Sequence, residues 1–495
     1  MHVKSSAVSI IVCLTLAACA VGPDFKRPDP PAVSSYTPEA LPSETVSAPG
    51  TGGSTQRFIQ GGDIPAQWWT LFRSETINAL IVRGLEHSPT LEAAKATLRL
   101  AQENWSAQYG SRFPAVDGSF SVYRQKISGA SFGSSNDISP FDLYNASVNV
   151  TYTIDLFGGL TRQLESLQSQ VDYQRYQLEA AHLALTSNIV TTALQEASLR
   201  AQIRASQEIL AAQERQLGIT EGQFRLGGVS GTEVLAQKTL VAQTRATIPP
   251  LEKQLAQTRH LLAVLVGSFP GDATFPEIEL DTMKLPEELP VSLPSSLVRQ
   301  RPDILASEAI LHAASAQIGV ATANLYPQIT LSAGIGVEAS TFGELFNTTA
   351  GIWNVGGGLL QPLFHGGQLM ARRRAAIAAF DQARAQYRET VLFAFQNVAD
   401  VLRALEADAR TLGAQKEAES AARGTLELVR GQYQVGAVSY LALLIAERQY
   451  QTAWIGLVRA QATRFADTAA LFQALGGGWW ESRPETEPLA IKDER

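Results

Sequence analysis

The chain has 495 residues, a net charge of −7 and 45% hydrophobic residues. It has neither the basic surplus nor the basic runs that nucleic-acid binding needs. Its two cysteines, Cys13 and Cys19, lie close to the N-terminus, so the remainder can hold no disulfide and no cysteine-based metal site.

Lys4 is the only formally charged residue before Asp24, and an apolar run, Ala7–Ala18, follows it. A charged start and an apolar stretch too short to span a bilayer predict a secretory signal over residues 1–18. The run ends on Leu16-Ala17-Ala18-Cys19, which resembles the bacterial lipobox. That resemblance implies that Cys19 is acylated, with palmitate among its fatty acids, and becomes the first mature residue. Ala20 after it implies sorting to the outer membrane. Residues 19–65 then form a lipidated N-terminal segment, of which 29–62, rich in Pro, Ser, Thr and Gly, is expected to be extended or poorly ordered. Beyond the signal no stretch reads as long and apolar enough for a transmembrane helix. A membrane crossing would therefore be a closed β-barrel, visible only as alternation.

The rest of the chain is duplicated. Glu86-His-Ser-Pro89 parallels Arg299-Gln-Arg-Pro302, and Ser111-Arg-Phe-Pro114 parallels Asn324-Leu-Tyr-Pro327, both 213 residues apart. Asp155-Leu-Phe-Gly-Gly159 answers Pro362-Leu-Phe-His-Gly-Gly367, and Gly222-Gln-Phe answers Gly431-Gln-Tyr. Four landmarks in one order define two repeats, 66–267 and 295–478, joined by a Pro-rich surface connector, 268–294, and followed by a flexible tail, 479–495.

Each repeat opens with shorter helices, about Thr76–Gly110 in the first and Ser295–Ala323 in the second, the latter interrupted near Pro302. Strands are predicted next, at about 113–124 and 143–157, then at 327–338 and 351–364. In them apolar residues such as Tyr144, Ala146, Val148, Val150, Tyr152 and Ile154 alternate with polar ones. Such strands fit a barrel with lipid outside and water inside. Long helices follow, at about 160–226 and 231–266, then 368–435 and 440–475, built from Ala, Gln, Leu, Glu and Arg. Ile203, Leu210, Leu217 and Phe224 recur at the seven-residue spacing of a coiled-coil seam. Pro249-Pro250 should break or kink the first return helix.

Four strands cannot close a barrel, since the smallest single-chain barrels have about 8. The chain must share one with copies of itself. Three copies would supply twelve strands and gather twelve long helices into a tube continuous with the barrel. The fold class predicted is therefore an α+β membrane protein, a trimeric barrel running into a long periplasmic helical barrel.

On these residues the chain resembles the TolC-like outer-membrane factors, in their lipoprotein branch (NodT type) serving RND multidrug efflux systems. The marks are Val21-Gly22-Pro23-Asp24-Phe25 after the lipobox, Trp68-Trp69-Thr70-Leu71-Phe72, and Arg301-Pro302-Asp303-Ile304. Tyr326-Pro327-Gln328-Ile329, Gln361-Pro362-Leu363-Phe364 and Ala474-Leu475-Gly476-Gly477-Gly478-Trp479 complete them. The resemblance implies a homotrimer that conducts small molecules received from an inner-membrane RND pump and gripped by a periplasmic adaptor protein. It places adaptor contacts on the hairpin tips: Leu226, Gly227, Gly228, Val229 and Ser230, with Val435, Gly436, Ala437, Val438 and Ser439. It places a gate just after the second tip, in Tyr440-Leu-Ala-Leu-Leu-Ile-Ala-Glu-Arg448. Leu441 keeps the apolar gate position, but Ile445 stands where the family carries aspartate. An apolar, dewetting constriction is expected there, with Glu233, Glu447 and Arg448 as candidates for the displaced charge.

No enzyme is predicted. The six histidines are isolated, no His-Glu-x-x-His occurs, and the glycine runs at 356–358 and 476–478 lack phosphate-loop and dinucleotide patterns. No metal and no cofactor are called for. The rival readings are a type I secretion channel, which shares the fold, and a non-conducting periplasmic coiled-coil lipoprotein, which leaves the alternating strands unexplained.

Overall fold

The computed structural model describes residues 20–128 and 139–482. Cys19, the signal segment and the tail beyond Ser482 lie outside the described residues. The chain divides into two compact units. Among the described residues the first draws on 20–28, 97–128, 139–174 and 306–387; the second on 29–96, 175–305 and 388–482.

The first unit holds a four-stranded antiparallel sheet of β2 (Ala115–Gln125), β3 (Phe141–Ile154), β5 (Gln328–Ala339) and β6 (Gly351–Leu360), in that order. Each repeat gives one hairpin, and β3 joins them by pairing with β5 from Tyr144↔Ala339 to Ile154↔Ile329. Strands β3 and β6 end several residues earlier than the alternation suggests, because chain reversal begins before the Leu-Phe pairs at 156–157 and 363–364. The reversal after β3 is capped: Asp155 accepts from Leu160 N, Thr161 N and Thr161 Oγ1. This satisfies the free N–H groups that open the next helix.

The segment just after Cys19 is pinned within this unit. Val21 N donates to Phe157 O at 3.0 Å. Arg162 donates to Asp24 and to Glu165, and Phe25 stacks on His312 with ring centroids 4.3 Å apart. Gly22 lies so close to Gly319 that a Cβ there would stand 2.4 Å from its Cα. Only glycine fits that crossing.

The second unit contains α1 (Glu75–His87) and two long return helices, α4 (Gly231–Leu265) and α8 (Tyr440–Ala474). It also takes most of the outgoing helices α3 (Gly159–Arg225) and α7 (Gln368–Gln434). Each outgoing helix has 67 residues, which is roughly 100 Å at about 1.5 Å per residue.

Four sequence expectations are corrected. The helix expected over 76–110 is two, α1 and α2 (Pro89–Gly110), parted at Ser88-Pro89 just as α5 (Pro294–Gln300) and α6 (Pro302–Ala323) are parted at Arg301-Pro302. Proline disfavours helix in the residue before it and starts a new one well. Pro249-Pro250 do not interrupt α4. Arg245, Ala246 and both prolines are exposed there, so water can take the carbonyls that proline leaves without donors.

The stretch 29–62 is extended but tightly held. Its β1 (Arg57–Gln60) pairs in parallel with β4 (Glu288–Val291) of the connector, and Gln56 is buried, donating to Pro286 O and Thr468 Oγ1. Finally, α6 is long and apolar enough to cross a membrane, against expectation. More than half of it is buried inside the protein, and it carries Asp303 and Glu308, so it is a core helix.

Family motifs in the second unit act as joints. Trp68 is fully buried and stacks on Phe472 at 5.3 Å. Arg301 holds Asp303 with two hydrogen bonds and donates to Ala474 O at 2.8 Å. A guanidinium thereby closes the carbonyl end of α8. Gly476, Gly477 and Gly478 all have positive φ, a conformation that a Cβ resists.

Asp408 on α7 faces Asp467 on α8, with the buried Arg464 nearby. Burial and the hydrogen bond to Asp467 push Asp408 up to about 7, against the pull of Arg464. An acid whose folded pKa exceeds its unfolded value of 3.8 contributes stability that is full below that value and lost as pH rises through the folded one. Unfolding of the purified protein between pH 5 and about 8 should show stability falling, and Asp408→Asn should flatten that slope.

Candidate functional site: an amphipathic sheet and two helical tips

The sheet register sorts the strand residues onto two faces. One face carries Val116, Val150, Ala333 and Val355 in one row, then Val148, Ile335 and Trp353, then Phe120, Ala146 and Val337. The other carries Asp117, Asn149 and Asn354, then Ser119 and Ser147, then Ser121, Asn145 and Glu338. No charged residue interrupts the apolar face between Val122 and Ile154; an Arg124–Asp142 ion pair bounds one end. That face is bare: Trp353 is 78% exposed and Ile335 68%.

On β3 the apolar positions run from Tyr144 to Ile154, roughly 34 Å along the strand at about 3.4 Å per residue. Tilted by about 40°, that spans roughly 25 Å, the height of an outer-membrane apolar band. The polar face is knitted by side chains. Asn149 donates to Ser119 and Ser147, and Asn145 donates to Glu338. Gly334 leaves room for its neighbours, since a Cβ there would meet Asn149 Oδ1 at 2.8 Å and Asn354 Oδ1 at 3.1 Å.

The two tips share one geometry. Gly228 N donates to Gln223 O and Gly227 N to Phe224 O; Ala437 N donates to Gln432 O and Gly436 N to Tyr433 O. This paired pattern, with Gly227 at φ 78° and Gly436 at φ 71°, is a Schellman cap. Ser230 and Ser439 then cap the return helices, accepting from Glu233 N and Ala442 N. Val229 and Val438 are half-buried, whereas Leu226 and Val435 project at 89% and 80% exposure.

Leu441 and Ile445, one turn apart on α8, are both exposed apolar side chains. Arg448 is exposed and Glu233 half-buried. Glu447 departs from expectation: it is 4% exposed and offers no carboxylate to solvent. It lies beside a cluster of Leu426, Tyr440, Leu443 and Ala446. Neither of its oxygens has a hydrogen-bond partner, and Arg430 Nη2 stands 3.8 Å away. Burial raises its pKa, against the pull of Arg430 and Gln237. Tyr440 on α8 donates its hydroxyl to Gln237 on α4, and Gln237 donates on to Gln213 O on α3 at 3.1 Å.

Sequence reasoning missed this polar packing. From Ser206 to its end, the buried positions of α3 are Ser206, Ile209, Gln213, Gln216 and Thr220, spaced alternately by three and four. On α4 Val234, Gln237, Val241, Thr244 and Ile248 are buried in the same rhythm, with Leu240 buried beside them. Ile203 of the expected seam is buried, but further along the buried residues fall one position before Leu210 and Leu217, which are half-buried, and Phe224 is exposed. Counting heptads over glutamine and threonine, not only over apolar residues, would have found it. Among the described residues no group of three or more His, Cys, Asp or Glu is placed to hold a metal.

A sheet with one apolar and one polar face, and long helical hairpins with polar residues buried in their seams, define the protomer of an outer-membrane channel. The chain matches the outer membrane efflux protein family over residues 80–268 and 293–477, and it belongs to that family. It is 30% identical over 494 residues to the pyoverdine export outer membrane protein OpmQ of Pseudomonas aeruginosa, covering 98% of each chain. It is 28% identical to the cation efflux system protein CusC of Escherichia coli, over 94% of this chain and 97% of that one. Among solved structures it superposes on the outer-membrane channel OprN with a TM-score of 0.84 at 28% identity, covering 93% of this chain and all of the other. The channel VceC of Vibrio cholerae gives 0.78 at 27%, over 84% of this chain and all of that one.

Replacing Glu447 by leucine removes a buried carboxyl without hydrogen bonds, a group that costs about 1–3 kcal/mol. Chemical unfolding should show Glu447→Leu more stable than wild type, with a larger gain at pH 8 than at pH 5, because the charged form is the disfavoured one.

Proposed function

We propose that the protein is the outer-membrane channel of a tripartite efflux pump. It conducts small molecules delivered by an inner-membrane RND pump through a periplasmic adaptor. The observation that carries this reading is the sheet: one face apolar and exposed along its length, the other polar, with β2 and β6 left as open edges. Lipid forbids open edges, so copies must complete the barrel, and a homotrimer supplies twelve strands. The cargo is set elsewhere, for relatives of similar identity are named for pyoverdine, cations and toluene. No catalytic step is assigned to this chain.

The exposed tips, Leu226–Ser230 and Val435–Ser439, are the adaptor-contacting surface in this reading. Blunt glycine turns let another hairpin approach the backbone closely. Leu441 and Ile445 form the gate, an apolar ring once three copies meet. Arg448 and Glu233 are the charged groups beside it, and Glu447 belongs to the packing behind it. Cys19 is the acylated anchor in the outer membrane, and the pinned strap from Val21 to Arg27 sets where that anchor begins.

Three measurements test this reading. Purified protein in planar bilayers should form pores, and a total absence of conductance would refute the channel. Ile445→Asp should change single-channel conductance or introduce cation block; an unchanged trace would remove Ile445 from the pore. Cys19→Ala behind a conventional cleavable signal should still yield membrane-embedded trimers, because the barrel itself retains the protein; a soluble periplasmic product would count against the barrel.

A further inference from the structure

The duplication supplies a template for a contact that a single chain cannot make. At the foot of the β3–β5 junction, Phe157 stacks on Tyr326, with centroids 4.7 Å apart and planes 21° from parallel. Phe157 follows Leu156 at the end of the first hairpin, and Tyr326 precedes the Pro327 that leads into β5. The repeat gives each of them an equivalent. Phe364 follows Leu363 at the end of the second hairpin, and Phe113 precedes the Pro114 that leads into β2.

These two equivalents cannot meet within one chain, because β2 and β6 are the opposite edges of the sheet. Both are bare: Phe364 is 88% exposed and Phe113 60%. Leu363 is likewise exposed, whereas its counterpart Leu156 is half-buried. Leu363 and Phe364 are thus bare where their counterparts Leu156 and Phe157 are half-buried, and Phe113 is barer than its own counterpart Tyr326, which is 40% exposed.

We infer that Phe364 of one copy stacks on Phe113 of a second copy, as Phe157 stacks on Tyr326 within the chain. The inference rests on the trimeric-channel reading and adds a specific joint to it. The occupant is a second copy because, among the described residues, the matching foot lies at the edge of β2 itself. Phe113 is already backed for the role: it meets Tyr109 edge-on at 5.9 Å, and Tyr109 stacks on Trp105 at 5.2 Å. A ring arriving from the next copy would extend an aromatic ladder running along α2. The two feet differ in one respect, for His365 lengthens the turn after Phe364 by one residue before Gly366-Gly367. That insertion lies beyond the aromatic and leaves the Leu-Phe pair intact.

The test uses the full-length chain in membranes. The double variant Phe113→Cys with Phe364→Cys, treated with a short bis-maleimide, should give cross-linked dimers and trimers on denaturing gels. Each single variant should give monomers only. A control pair, Phe157→Cys with Tyr326→Cys, should cross-link without any increase in size. Assembled, conducting protein that yields no intermolecular band would overturn this contact while leaving the channel intact; wild type that neither assembles nor conducts would instead sink the channel reading. Should the double cysteine variant fail to assemble, alanine variants decide. Phe113→Ala and Phe364→Ala should each lower the temperature at which trimers dissociate, and the pair together should be little worse than either alone. Fully additive losses would overturn the contact.

Discussion

Backbone pairing is the constraint on which the rest of the first unit depends. In hydrocarbon an unpaired N–H or C=O costs several kcal/mol, so a membrane-spanning sheet cannot keep an edge. Within the chain the problem is solved once, where β3 of the first repeat pairs with β5 of the second through eleven successive residue pairs. The alternation of apolar and polar residues follows from the same demand, since each strand must present lipid on one side and water on the other. So does the small size of Gly334, which lets two asparagine side chains lean across the polar face. Duplication makes the solution general: two hairpins that fit each other edge to edge can also fit their copies.

The second unit is organised by helix ends. Every long helix must dispose of its terminal carbonyls, and the devices are local and repeated. Glycine caps close the outgoing helices at Gly227 and Gly436 and the return helices at Gly267 and Gly476. Arg301 reaches the last carbonyls of α8 from another part of the chain. The motif residues that mark the family are thus largely joint residues. Trp68, Arg301 and the Gly476–Gly478 run lock elements to one another.

Most of the architecture was legible because it is periodic. Alternation at two residues located the four strands, and long runs without proline located α3 and α7. The 213-residue offset exposed the repeat. What escaped was decided by burial against distant segments. The 29–62 stretch looks unstructured by composition, yet Arg464 draws it in by donating to Thr45 and Ser54. Pro249-Pro250 looks like a break, yet the surrounding helix surface is wet enough to tolerate it. Glu447 sits in a motif that suggests a solvated carboxylate. Its burial follows from the helical phase of Tyr440 and Leu443, the residues one and two turns before it, which also face inward. Leu441 and Ile445, on the same helix, are exposed.

The seam between the long helices sets glutamine, serine and threonine among its isoleucines and valines, at positions where coiled coils usually bury only apolar residues. Such polar positions fix the register in which helices meet, at some cost in affinity. They also change what happens when the helices part. A leucine seam pulled open exposes oil to water and either snaps shut or finds another oily surface. A seam of Gln213, Gln216 and Thr220 exposes groups that water hydrates at once. The hairpins can therefore separate and rejoin repeatedly without the separated state becoming adhesive.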